Sequence, residues 1–133
     1  MSEDIAWVAG VFEGEGTIRI RKGNYGAQVS VRMDDQDVIE RIRLIMGFGH
    51  VYELEEHRAN GRVVIQYNYQ LGSADDVIAF LTAVLPWLGA RRKEKAEQAI
   101  ASARLIGNNY AHPWTPERHA RYAATMARKR AAS

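Results

Sequence analysis

Three segments of the chain alternate apolar and polar side chains with the period of two that is typical of a half-buried β-strand, and a fourth, HVYELEEH, follows the same arrangement less regularly. Short stretches rich in turn-forming residues, GNYG and RANGR, join these segments in two pairs. The segments are TIRIRK (17–22), AQVSVRM (27–33), HVYELEEH (50–57) and VVIQYNYQLG (63–72). The pattern therefore predicts two β-hairpins.

Apolar residues at helical spacing occupy the segments before, between and after the hairpins. The spacing predicts helices over 3–15, 34–47 and 73–89, the third of which breaks at Pro86 and Gly89, and a basic helix over 91–106. The order α-β-β-α-β-β-α is typical of an α+β domain. We expect a four-stranded antiparallel sheet with helices packed on one face.

One domain over residues 1–106 accounts for these elements, and residues 107–133 form a basic C-terminal extension. Thr115 and Pro116 suit the cap and first position of a short helix, so we expect a short helix or arm there. A solvated terminus without regular structure is the alternative.

The net charge of +2 hides an asymmetry along the chain. Residues 1–90 carry 8 Lys and Arg against 13 Asp and Glu, whereas residues 91–133 carry 10 against 3. A basic C-terminal third suggests a polyanionic partner, and solvated basic helix faces are the alternative.

Composition also limits the cellular compartments in which the protein is expected. The chain has no cysteine, which excludes disulfides, thiolate metal sites and cysteine nucleophiles. No apolar run approaches the roughly 18 residues of a membrane span, and no signal peptide precedes the first helix. We expect an intracellular protein with no membrane partner, cytoplasmic or, in a eukaryote, organellar.

Polar side chains on one face of the predicted sheet are mostly Arg, Gln, Asn and Ser, which can contact base edges in the major groove of DNA. An ordinary solvated face is the alternative, although such faces usually carry Lys, Glu and Thr. The predicted DNA-reading residues are Arg19, Arg21, Gln28, Ser30, Arg32, Gln66, Asn68 and Gln70.

Small residues recur every fourth position in the first helix, at Ala6, Gly10 and Gly14. Each glycine inside a helix costs roughly 1 kcal/mol relative to alanine, so a compensating contact is expected. Small residues at this spacing let two helices approach to backbone contact. We expect the same helix of a second subunit across a two-fold axis, with an intramolecular helix as the alternative.

Glu15 lies at the C-terminal end of this helix, where the helix dipole disfavours a carboxylate. A divalent cation would reverse that effect. Two symmetry-related Glu15 side chains beside free backbone carbonyls would offer the hard oxygen ligands that Mg²⁺ takes. Glu13 is two residues away and points elsewhere on a helix.

The stretch WVAGVFEGEGTI resembles the signature of the LAGLIDADG homing endonucleases, with residues 8–16 at its nine positions. The element order, MGFGHVY and FLTAVLPWLG are also similar to that family over about residues 5–105. The resemblance implies that Glu15, where Asp is commoner, binds the catalytic metal with the Gly14 carbonyl, and that the sheet lies in the major groove. It further implies a catalytic basic residue within ARRKEK, for which Arg91 and Lys93 are the leading candidates beside Arg92 and Lys95.

The resulting hypothesis is a homodimeric endonuclease, encoded in an intron or intein, that hydrolyses both strands of DNA at a long, roughly palindromic site. Mg²⁺ is the expected cofactor, with Mn²⁺ or Ca²⁺ able to substitute in binding. A non-cleaving DNA- or RNA-binding protein of the same fold, such as a maturase or regulator, is the alternative. An interaction module without nucleic acid is the third.

Overall fold

The computed structural model describes residues 2–21, 26–105, 120, 123, 124 and 126–129. The predicted order of helices and strands is confirmed, as is the basic helix that follows them. The elements are α1 (Ser2–Glu15), β1 (Gly16–Ile20), β2 (Ala27–Met33), α2 (Gln36–Met46), β3 (His50–His57), β4 (Val63–Leu71), α3 (Ala74–Val84), a 3₁₀ turn (Leu85–Trp87) and α4 (Ala90–Arg104).

The first hairpin is shorter than predicted. β1 ends at Ile20, and the Arg21 N–H donates to the Gly26 carbonyl at 2.9 Å. Residues 22–25, which include the predicted end of the strand and most of the turn, lie outside the described residues. Ser102 of α4 forms two hydrogen bonds with the backbone of Gly26. Its Oγ accepts from the Gly26 N–H at 2.9 Å and donates to the Gly26 carbonyl at 3.2 Å.

Capping residues and Pro86 mark the boundaries of the helices near the predicted positions. Gly47 follows α2 with a φ of 79°, and its N–H donates to the Arg43 carbonyl at 2.8 Å. Ser73 caps α3, since its Oγ accepts from the Asp76 N–H at 3.2 Å. The third predicted helix breaks into α3 and the 3₁₀ turn at Pro86, and Gly89 is the N-cap residue of α4.

The sheet is antiparallel throughout and has the order β1-β2-β4-β3. Arg19 pairs with Gln28, while Arg32 pairs with Asn68. Directly paired residues share a face of a sheet, so these polar side chains lie together. The register therefore assembles the predicted polar face across three strands.

The four helices cover the opposite face and enclose the core. Tyr69 is fully buried there, and its hydroxyl donates to the Phe48 carbonyl at 2.7 Å. Burial raises the pKa of Tyr69 well above its usual range, Asp76 raises it further, and Arg43 acts in the opposite direction. Gly49 makes room for the ring, since a Cβ there would lie 2.6 Å from the Tyr69 Cε1 atom.

The outer part of the β3–β4 hairpin extends beyond this core. Val63 and Ile65 lie on the apolar side of β4, as predicted, but they are 52% and 40% exposed. Their partners in β3, His57 and Glu55, are exposed as well. The helices cover only the inner part of the apolar sheet face. The alternation in the sequence therefore predicts more burial for Val63 and Ile65 than the structure shows.

Part of the predicted extension is described. Residues 123–124 and 126–129 are helical, and Ala123, Met126 and Ala127 line a cleft of about 80 Å³ with Arg43 and Leu44 of α2 and with Gly47, which follows that helix. Thr115 and Pro116, the predicted start of this helix, lie outside the described residues. Within the described ranges, every helix is too short or too polar to cross a membrane.

Candidate metal and nucleic-acid site

Helix α1 presents two different faces. Ile5, Val8 and Phe12 are buried in the core together with Ala9, whereas Gly10 and Gly14 are exposed. A Cβ built on Gly10 or Gly14 would meet no atom within 4 Å. The alternative partner, a helix of the same chain, is therefore not found within the described part of the chain, and among these residues nothing covers the glycine face of α1.

Gly16 differs from these two glycines. A Cβ at this position would overlap the ring and the carbonyl oxygen of Phe12. Packing within one chain thus explains the glycine at 16, because the chain turns from helix to strand directly over a buried ring. It does not explain Gly10 or Gly14.

The two acids of the motif point to different surroundings. The Glu15 residue is exposed at the end of α1. Glu13 is turned towards α4, where its Oε2 atom lies 3.6 Å from Arg92 Nε. Gly89 leaves room for this carboxylate, since a Cβ there would lie 2.9 Å from Glu13 Oε1. Glu15 is thus the more exposed of the two acids and has no such contact with Arg92.

Arg92 makes further contacts with the motif. Its Nη1 donates to the Gly16 carbonyl at 2.6 Å, and its Cζ lies 5.5 Å from the centroid of the Phe12 ring. The guanidinium therefore touches the last turn of α1 and the first residue of β1 from one position on α4.

A basic cleft of about 300 Å³ adjoins this contact, immediately after Glu15 in the chain. Its lining residues come from the start of β1 and the start of α4: Gly16, Thr17, Ile18, Arg91, Arg92 and Lys95. Lys93 is not among them, and its backbone N–H donates to the Gly89 carbonyl at 2.8 Å. The four-residue spacing of Arg91 and Lys95 on a helix is the sequence signal that favours Lys95 over Lys93.

The oxygen donors that the structure describes near Glu15 do not make up a complete metal site within one chain. Within the described ranges, no three His, Cys, Asp or Glu side chains lie together as a ligand group. One chain offers the exposed Glu15 carboxylate and the carbonyls at the end of α1, which are hard oxygen donors suited to Mg²⁺. The residues fit half of a shared site and do not fit a complete site within one chain.

The polar face of the sheet is accessible over most of its area. Arg19, Arg21 and Arg32 are exposed, and Gln28, Ser30, Gln66 and Gln70 are half-buried. Asn68 differs, because it is only 5% exposed and its Nδ2 donates to Gln70 Oε1 at 3.0 Å. Of the eight predicted DNA-reading residues, Asn68 is the one placed beneath its neighbours, where it supports Gln70.

Sequence reasoning missed other residues of this face. Asp34 accepts a hydrogen bond from Gln66 Nε2 at 3.0 Å, and its position continues the alternation of Gln28, Ser30 and Arg32. His50 and Tyr52 of β3 pair with residues of β4 on the same side and are exposed. The weak alternation of β3 hid them, and only the register reveals them.

Comparison with known proteins gives structural matches alone. No protein-family model matches the chain, and no curated protein matches it in sequence. The homing endonuclease I-CvuI, bound to the I-CreI target with Mg and uncleaved DNA, matches 81% of this chain and 72% of its own, with a TM-score of 0.62 and 18% identity. I-CvuI with its own target and Ca gives a TM-score of 0.60 at 19% identity over 95% of this chain and 81% of its own.

Two further matches are DNA complexes of intron-encoded enzymes. The group I intron-encoded homing endonuclease I-CeuI matches 82% of this chain and 57% of its own, with a TM-score of 0.62 and 13% identity. The archaeal enzyme I-Vdi141I matches 95% and 83%, with a TM-score of 0.55 and 15% identity. Likeness at this low identity establishes architecture, and the chain has the α+β fold of the LAGLIDADG homing endonucleases.

Proposed function

We propose that this protein is a site-specific DNA endonuclease that hydrolyses both strands of a duplex as a homodimer. The observation that carries the proposal is the α1 helix, which presents an open glycine face and an exposed Glu15 at the end of the same helix. The fold supports it, because the four matching structures described above are homing endonucleases bound to DNA.

The homodimer follows from the cost of the glycines. Gly10 and Gly14 each weaken α1, and no described neighbour within the chain uses the space that they leave. A second α1 helix packed on the Ala6, Gly10 and Gly14 face would use it, and two-fold symmetry makes that interface self-complementary. The 3₁₀ turn that contacts α1 also carries the exposed Trp87.

The same symmetry would complete the metal site. Two Glu15 carboxylates and two Gly14 carbonyls would meet near the axis, which matches the oxygen ligands of Mg²⁺, with Mn²⁺ or Ca²⁺ able to substitute in binding. When bound, a divalent cation supplies Lewis-acid chemistry that activates water and neutralises charge on the phosphate.

The basic cleft would supply the remaining chemistry from this chain. Arg91 and Lys95 line it beside the start of β1, and both are exposed. A cation at that position orients the scissile phosphate and stabilises the negative charge that develops on its oxygens. Lys93 remains a candidate from the sequence.

The polar sheet face would read the DNA. Arginine and glutamine side chains can make bidentate contacts to guanine and adenine edges, and the exposed Arg19 and Arg32 lie on the same face of the sheet. Two sheets related by a two-fold axis imply a roughly palindromic site with matched half-sites.

The decisive experiment selects cleaved duplexes from a randomised library with Mg²⁺ and then compares variants on the selected site. Glu15→Gln keeps the shape of the side chain and removes its charge, so cleavage should be lost while affinity measured in Ca²⁺ stays within a few-fold. Glu3→Gln is the matched control, because Glu3 is exposed in the first turn of the same helix.

Cleavage at the normal rate by Glu15→Gln would overturn the assignment of Glu15. Selective binding by the unmodified protein without cleavage in Mg²⁺ or Mn²⁺ would instead identify the alternative, a non-cleaving nucleic-acid-binding protein.

A further inference from the structure

We propose that Arg92 is a positioning residue that fixes the α1–β1 junction, and with it the direction of Glu15, and that it does not contact phosphate. This inference rests on the proposed endonuclease function. It separates Arg92 from Arg91 and Lys95, which line the same basic cleft.

The contacts of Arg92 lie on both sides of Glu15 in the chain. Its Nε is 3.6 Å from the Glu13 carboxylate and its Nη1 donates to the Gly16 carbonyl at 2.6 Å. The Phe12 ring lies against the same guanidinium, with its centroid 5.5 Å from Cζ. Arg92 thus holds residues 12, 13 and 16 and leaves Glu15 between fixed points.

The junction needs such support. Glu15 stands between Gly14 and Gly16, and glycine leaves the backbone more conformational freedom than any other residue. Carbonyls at the end of a helix also have no partner within the helix. The Arg92 side chain supplies a charged donor to the carbonyl that directly follows Glu15.

Glu13 makes the arrangement interdependent. Its Oε2 atom is buried and has no hydrogen bond among the described residues, so the Arg92 charge is the compensating group beside it. The Glu13 side chain as a whole is 41% exposed, but a buried carboxylate oxygen without a compensating donor or cation is costly, so removing either partner should release the other.

The accessibility of the three basic residues supports different roles for them. The Arg92 side chain is only 21% exposed, and two of its nitrogens already face protein oxygens. Arg91 and Lys95 are exposed along the same cleft. A duplex would therefore meet Arg91 and Lys95 first.

The test compares Arg92→Gln, Arg92→Lys and Arg91→Gln, with Arg104→Gln as the matched control, because Arg104 is an exposed arginine at the far end of α4. Three quantities are measured: single-turnover cleavage at saturating DNA, the salt dependence of binding in Ca²⁺, and amide hydrogen exchange over residues 12–18 without DNA or metal.

Arg92→Gln should slow cleavage by roughly 10- to 100-fold, as is typical when a residue that orients a metal ligand is removed. The slope of log K against log salt should not change, whereas each lost phosphate contact would reduce it by about 0.9, as expected for Arg91→Gln. Exchange over 12–18 should accelerate in Arg92→Gln and stay unchanged in Arg104→Gln.

Arg92→Lys distinguishes geometry from charge. Lysine keeps the charge but lacks the planar fork that reaches two acceptors, so the cleavage defect should persist. Glu13→Gln combined with Arg92→Gln should lose little more than the worse single variant, since the two residues act as a unit.

A lower salt slope in Arg92→Gln, or full rescue by Arg92→Lys, would overturn the positioning role in favour of a phosphate contact. If the unmodified protein cleaves no duplex, the proposed function fails on its own. Hydrogen exchange still tests whether Arg92 holds the α1–β1 junction. Unchanged exchange in Arg92→Gln would refute that role, and accelerated exchange would support it.

Discussion

Replacing Gly10 by alanine gives opposite results depending on whether the open face of α1 meets solvent or a second subunit. In an isolated chain the new methyl group meets no atom of the described residues within 4 Å beyond its own helix, so only helix propensity changes. Alanine is favoured over glycine in a helix interior by about 1 kcal/mol. The variant of a monomer should therefore gain about 1 kcal/mol, or about 4 °C in melting temperature for a domain of this size.

A dimer packed through this face should instead associate more weakly, because the gain of about 1 kcal/mol in helix propensity is the same in separated and paired chains. Each dimer gains two methyl groups at its closest helix contact, and overpacking costs about 1 kcal/mol or more for each. A loss of about 2 kcal/mol raises the dissociation constant about thirty-fold. Sedimentation equilibrium measures this constant, and thermal melts at several protein concentrations follow the linked change in stability.

Gln98 serves to measure the alanine–glycine difference in helix propensity for this protein, because it is exposed in the middle of α4. Gln98→Ala and Gln98→Gly should differ by about 1 kcal/mol in unfolding free energy with no change in association. A Gly10→Ala variant that melts higher and associates like the unmodified protein would show that the glycine face is solvated, and the dimer proposal would be wrong for this surface.

Three other predictions concern the core, the base-reading face and the extension. Tyr69→Phe removes the hydroxyl that donates to the buried Phe48 carbonyl and should lower the unfolding free energy in urea by roughly 1–3 kcal/mol. Because the folded pKa of Tyr69 is raised, its protonated form favours the folded state. That contribution is fully present below about pH 10 and is lost as pH rises towards the folded pKa. The unmodified protein should therefore lose stability more steeply than Tyr69→Phe above about pH 10. Asp34→Ala frees Gln66 Nε2 and should change preference at one base pair of each half-site, measured as affinity for single-base variants, whereas a uniform loss at every site would contradict base reading by Gln66. Deletion of residues 115–133 should weaken binding to all duplexes and reduce the slope of log K against log salt by about 0.9 for each lost phosphate contact. A change confined to one base position would contradict phosphate binding by the extension.

Much of the site is readable from the sequence because it depends on short-range patterns. The alternation in β2 and β4 identifies the polar residues of the sheet, and register places Arg32 opposite Asn68 as neighbours on one face. The spacing of Gly10 and Gly14 identifies one face of α1, and the end of that helix defines the exposed position of Glu15. Periods of two and 3.6 residues are properties of the local backbone, so they appear in any sequence that forms these elements.

Only the tertiary structure decides which of these residues are accessible and which are already paired. Asn68 has the same polar character as Gln66 and Gln70, but packing between neighbouring strands buries it. Arg92 is one of four basic candidates in the sequence, and its role depends on the Gly16 carbonyl, 76 positions away in the chain. Contacts across such separations depend on how α4 packs beside α1 and β1, and no local period records that packing. The sequence alone thus determined the elements and the kinds of side chain each face carries, whereas long-range packing decided which of those side chains are available to a metal or to DNA.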